Sequence, residues 1–161
     1  MNRWVLVGLA AVAALAGAIF WSNRGAQIRI EGTVLKTRMQ KLADNHTMLA
    51  FDFRFTNPAD YPFVVRDVTV RCTMPDGETL AGETVSDDDA RRVFEFYKLN
   101  LGEKFNESLV IKNKVPPKAT EDRMIAATFA AEPDRLATRT GCRIRVDDVD
   151  GAYSEIREIV K

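Results

Sequence analysis

The stretch at residues 49–74 restricts the fold more than any other part of this chain. Leu49, Phe51, Phe53 and Phe55 alternate with Ala50, Asp52, Arg54 and Thr56, a period of two that sets rings on one face of a strand and charges on the other. After N-P-A-D-Y-P, Val64, Val68, Val70, Cys72 and Met74 share one parity, and Asp67, Thr69, Arg71 and Thr73 share the other. Arg66 alone breaks the inward row, early in the strand, where a long side chain still reaches water. Between the runs, Asn57, Pro58, Asp60 and Pro62 end the first strand and force a corner. The centre of the chain is therefore a pair of strands with an apolar inner face.

The remainder extends that pattern. Ile28, Ile30, Gly32 and Val34 alternate in a strand at 27–38, followed by a polar segment with an Asp44-Asn45 turn signal. Pro75, Asp76 and Gly77 form a turn, and residues 78–85 return as a weaker strand. Ser86 before Asp87, Asp88 and Asp89 is a helix start, with a capping hydroxyl and acids that complement the helix dipole. Ala90, Val93, Phe94 and Tyr97 fall on one face, with Phe96 widening it, predicting a helix over 87–97. Residues 105–114 are apolar around Leu109, Val110 and Ile111, until Val115, Pro116, Pro117 and Lys118 break the run. A strand is expected at 123–130 and a helical turn or tight loop at 132–136. The chain closes with strands at 141–149 and 152–160, joined by Asp150-Gly151, a two-residue hairpin signal. About seven short strands between turns predict a mainly β domain at 28–161, an Ig-like antiparallel β-sandwich with one inserted short helix.

Residues 4–21 carry no charge and hold a tryptophan at each end. As a helix they would be about 27 Å long at roughly 1.5 Å per residue, close to the roughly 30 Å hydrocarbon core of a bilayer, with Trp4 and Trp21 at the two interfaces. A small-residue cleavage pattern at Ala16, Gly17 and Ala18 also fits a signal peptide, but cleavage there would leave Ile19, Phe20 and Trp21 as an exposed apolar end. The expectation is an uncleaved signal anchor in the lipid bilayer, with a cytoplasmic tail at 1–3 and a linker at 22–27. The short tail favours an inner-membrane protein whose domain lies on the periplasmic side.

Charge and composition exclude some functions. Lys and Arg total 23, as do Asp and Glu, so no basic stripe for nucleic acid is expected. Cys72 and Cys142 lack metal-ligand spacing. Both lie on inward parities, where they either pair in an oxidising space, closing a loop worth roughly 4 kcal/mol, or pack as two buried thiols. The three consecutive aspartates suit a helix cap better than a cation site. His46, the single histidine, has no nucleophile elbow beside it. No catalytic residue, metal ligand or cofactor site is expected, which leaves a hydrolytic enzyme as the least supported reading. Phe94, Phe96 and Tyr97 are more rings than one helix face needs; they either cover an open end of the sandwich or form a partner-binding patch near Pro116 and Pro117.

The F-x-F-x-N-P-x-x-Y-P-F-x-V pattern at 53–65, with the later Pro-Pro loop, resembles the atypical late-embryogenesis-abundant, water-stress-type domain, as found in membrane-anchored bacterial variants. The resemblance implies an Ig-like or fibronectin-III-like sandwich and a non-enzymatic role in the cell envelope. It also implies a structural corner in which Asn57 and Pro58 shape the bend, followed by Pro62, while Tyr61 and Phe63 pack it. The expected function is a non-catalytic binding or scaffolding module with an unidentified envelope protein partner. Direct protection of the envelope during water loss is the alternative.

Overall fold

The computed structural model describes residues 29–160 together with Val12, Ala13, Leu15, Gly17 and Ala18, which are helical. The expected tail at 1–3 and linker at 22–27 lie outside the described residues, as does the expected anchor at 4–21 apart from those five positions. Among the described residues, no helix is long and apolar enough to cross a membrane.

Alternation builds the domain as expected: Phe51 and Phe53 are fully buried, Phe55 almost so, and their inner face meets Phe63, Phe129, Ile144 and Ile156 in one core. Fully burying such a side chain contributes roughly 1.5–3 kcal/mol. The elements in chain order are β1 (Glu31–Ala43), β2 (His46–Thr56), β3 (Phe63–Thr73), β4 (Thr79–Thr84), α1 (Asp87–Phe96), α2 (Lys98–Leu101), β5 (Lys114–Val115), β6 (Thr120–Phe129), α3 (Pro133–Ala137), β7 (Gly141–Asp148) and β8 (Tyr153–Arg157).

The architecture is mainly β, but the two layers of an Ig-like sandwich are not separate. The strand order is β4-β6-β2-β1-β8-β7-β3-β5, and β4 also pairs with β3, so seven strands close into a ring with β5 outside it. The β3–β4 seam runs from Val70↔Gly82 to Thr73↔Thr79. The opposite seam, β1–β8, is a single parallel pair, Thr33↔Arg157, whereas the other pairings between these strands are antiparallel. Closure gives the backbone groups of edge strands partners that a two-sheet sandwich leaves open. Gly82 permits the crossing of β4 onto β6, because a Cβ there would lie 2.6 Å from the Phe129 ring.

Local departures from the expected pattern have identifiable causes. A register shift between Val65 and Asp67 marks a β-bulge. The extra residue flips the parity, so Phe63 and Val65, not Val64, point inward before Val68, Val70 and Cys72 resume the row. The bulge also turns Arg66 outward. β1 continues to Ala43, beyond the expected end at 38, through shifts at Val34/Lys36 and Lys41/Ala43. The β7–β8 connection is longer than a two-residue turn: the Asp148 amide bonds to Ala152 O, and Gly151, at φ 88, donates to Asp148 O. Three helices, not one, occur at 29–160.

Candidate functional site

The outer face of β2 does not face water throughout. Ala50 lies opposite Ala126 of β6, and these small side chains form a flat platform on which α1 lays Ala90 and Phe94. Met48, Met124 and Leu101 complete a second buried cluster. The α1 start is as expected: Ser86 Oγ accepts from the Asp89 amide at 3.2 Å and donates to the Asp89 carboxylate at 2.7 Å.

Beneath this cover, charges replace hydrophobic contact. Arg38 of β1 donates to Asp52 at 2.6 Å and to the carbonyls of Leu101 at 3.1 Å and Glu103 at 2.7 Å. Its guanidinium also lies 4.4 Å from the centre of the Phe94 ring. The second Asp52 oxygen accepts from Asn106 at 3.0 Å. Asp87 accepts from Lys104 at 2.7 Å, from the Ser108 amide at 2.9 Å and from Arg91 at 2.8 Å. The Lys104 ammonium beside Asp87 holds its carboxyl well below the usual carboxylate range, against the opposing effect of burial. Residues 101–108 are thus tied to β1, β2 and α1 by two linked ionic clusters. Among the described residues, Arg38 Nε and Ser108 Oγ are buried without a hydrogen-bond partner.

A cleft of about 400 Å³ lies between α1 and this segment, lined by Arg91, Phe94, Glu95, Lys98, Lys104 and Phe105 among others. It mixes both signs of charge, with Arg91, Lys98 and Lys104 beside Glu95, Glu103 and Glu107. Phe105 on its wall is 77 % exposed, and Phe96 and Leu99, outside its lining, are 81 % and 102 % exposed. Of the residues expected in a partner patch, Phe96 is exposed, Tyr97 is half-buried and packs edge-on against Phe96 at 4.8 Å, and Phe94 is core. The correction follows from helical spacing: Phe94 shares its face with Ala90, whereas Phe96 points away. Leu99 and Phe105 carry no sequence signal of their own, because isolated apolar residues occur routinely on protein surfaces.

Pro116 and Pro117 belong to the corner. Asn57 is fully buried and donates to the carbonyls of Tyr61 at 2.9 Å, Val115 at 3.2 Å and Pro116 at 3.1 Å. Its Oδ1 accepts from the Ala59 amide at 3.0 Å, and its own amide donates to Ala119 O at 2.9 Å. Pro58 O accepts from Lys118 at 2.6 Å, and Pro62 is exposed. Tyr61 is 39 % exposed, and its carbonyl is the Asn57 acceptor.

Cys72 and Cys142 stand opposite each other on β3 and β7 with Cα atoms 4.0 Å apart, joined as a disulfide inside the core. His46 is exposed at the β1–β2 turn, with Nδ1 3.0 Å from the Asp44 carbonyl. Among the described residues, no group of three or more His, Cys, Asp or Glu is placed to hold a metal ion. Arg38, Asp52, Lys104 and Asn106 escaped sequence reasoning. The available signal was Met48 and Ala50 at the head of the supposedly solvated parity of β2.

No protein-family model and no curated protein matches this sequence. One similar solved structure is an uncharacterized β-sandwich protein from Clostridium difficile 630, 11% identical, covering 80% of this chain and 85% of that one at a TM-score of 0.40.

Proposed function

We propose that this protein is a membrane-anchored, non-catalytic binding module of the cell envelope, late-embryogenesis-abundant-like in its corner motif. Its contact surface is formed by Phe96, Leu99 and Phe105. The observation that carries this reading is three large exposed apolar side chains on a segment fixed from beneath by the Arg38–Asp52 and Asp87–Lys104 pairs. A rigid segment loses little conformational freedom on docking, and contiguous exposed apolar patches mark interaction sites. Asn100 of this segment bonds to Gln40 at 3.1 Å. Gln40 stands about 30 Å along β1 from its start at Glu31, at roughly 3.3 Å per residue. With residues 4–21 in the bilayer, that separation favours an envelope protein over the lipid surface as the occupant of the patch.

Replacing Phe96 with Asp is expected to abolish capture of the partner by crosslinking in intact cells while leaving the melting temperature unchanged. A large loss of stability would instead make Phe96 part of the fold. Diffuse crosslinking to many proteins, insensitive to the substitution, would point to general protection.

A further inference from the structure

The outer face of β3, β7 and β8 sorts its charges in a way that the near-zero total conceals. Just outside the Cys72–Cys142 pair, Arg71 lies opposite Arg143, and Arg143 lies opposite Arg157. Three guanidinium side chains on adjacent strands therefore form one row, all exposed. Like charges directly opposite one another are destabilising in a sheet, and the local carboxylates do not balance these. Glu155 serves both Arg143 at 3.3 Å and Arg157 at 3.1 Å. Asp147 is occupied by Arg145 at 2.8 Å, with Arg66 at 3.7 Å. Arg71 makes no ion pair among the described residues, with Asp67 on its own strand and Glu83 on β4 included. A cavity of about 330 Å³ lies over this face, lined by Thr69, Arg71, Arg143, Arg145, Asp147 and Glu155.

We propose that the Arg71–Arg143–Arg157 row is a binding site for a ligand carrying two or more phosphate groups. Neighbouring strands are about 4.8 Å apart, so the row spans roughly 10 Å, the reach of two or three linked phosphates. Guanidinium forks match phosphate oxygens two at a time. Arg71 and Arg143 line this cavity, Arg157 lines with Arg143 a second one of about 180 Å³, and Asp147, at the far end of the first, repels an anion toward the row. The disulfide lies directly beneath, between the residue after Arg71 and the residue before Arg143, and holds the two repelling positions together when the site is empty. The site lies on a different face from the apolar patch and does not depend on it.

The test titrates the full chain, in neutral detergent at fixed ionic strength, with sodium tripolyphosphate and separately with short-chain cardiolipin, following binding by calorimetry and stability by melting temperature. Saturable binding is expected, weakened tenfold or more by Arg71→Ala and by Arg143→Ala and unchanged by Arg54→Ala, whose side chain pairs with Asp122 on the other half. Tighter cardiolipin binding would assign a lipid headgroup, and tighter tripolyphosphate binding a free phosphate compound. Without ligand, Arg143→Ala should raise the melting temperature by relieving repulsion, while abolishing the further rise that the anion causes. Absence of saturable binding to either anion, or undiminished binding by the Arg71→Ala/Arg143→Ala double variant, would overturn the proposal.

Discussion

On the half of the ring built from β1, β2 and β6, the outer face lies under α1, α2 and residues 101–108, held by buried ion pairs. On the half built from β3, β7 and β8, the outer face is open and carries arginines, while the tie lies inside as a disulfide. Both halves present the same alternation to the shared core. What differs is the second face: a cross-strand pair of alanines accepts a helix, whereas a cross-strand pair of arginines keeps it clear. The inner parity of a strand fixes the fold, and the outer parity decides what the strand is for.

That contrast breaks most severely at Arg38. Arg38→Met leaves Asp52 buried without its cation, and denaturant unfolding should show a loss of roughly 3–5 kcal/mol. The Arg38→Met/Asp52→Leu double variant should recover most of that loss, because the desolvation cost disappears with the charges. On the other half, Cys72→Ala/Cys142→Ala removes a cross-link between positions separated by 70 residues. It should cost roughly 2–4 kcal/mol, with a matching loss on reduction of the native chain.

Acid sharpens the comparison further. The Asp87 carboxyl is held below its ordinary range by Lys104, so its contribution is present above the unfolded carboxylate value, about 3.9, and is lost as pH falls through the lowered folded value. Amide exchange in α1 should therefore accelerate on acidification before exchange in β7 does, and Asp87→Asn should remove that difference. The smallest effect belongs to the α1 cap, where Ser86→Ala should cost about 1 kcal/mol, read as a lowered urea midpoint.

The residues of β2 and the inward row of β3 beyond the bulge were legible in the sequence because one burial rule governs each parity. The α1 start was equally plain, since Ser86 and the acids after it act locally. The closure of the sheet was not: the β3–β4 hairpin is local, but closure also needs Thr33↔Arg157 and the β4–β6 pairs Glu83↔Thr128 and Thr84↔Ala127, whose partners lie far apart in the chain. The flipped parity at Phe63 and Val65 depends on one inserted residue that no composition signal marks. The covering of β2 was missed for a physical reason as well. Asp52 reads as a solvated residue until the cation 14 positions earlier and the amide 54 positions later are brought to it. Similarly, charge balance summed over the chain hides a row of arginines that exists only once three strands are in register.

The difference between the two outer faces can be measured directly by maleimide labelling of single cysteines introduced at Ala50, under the helical cover, and at Ala81 of β4, opposite Arg71 on the open face, with the native disulfide intact. Labelling at position 81 should be complete within the time expected of an exposed thiol, while position 50 should react only as fast as the cover opens. Equally rapid labelling at both positions, in variants that remain folded, would contradict the account.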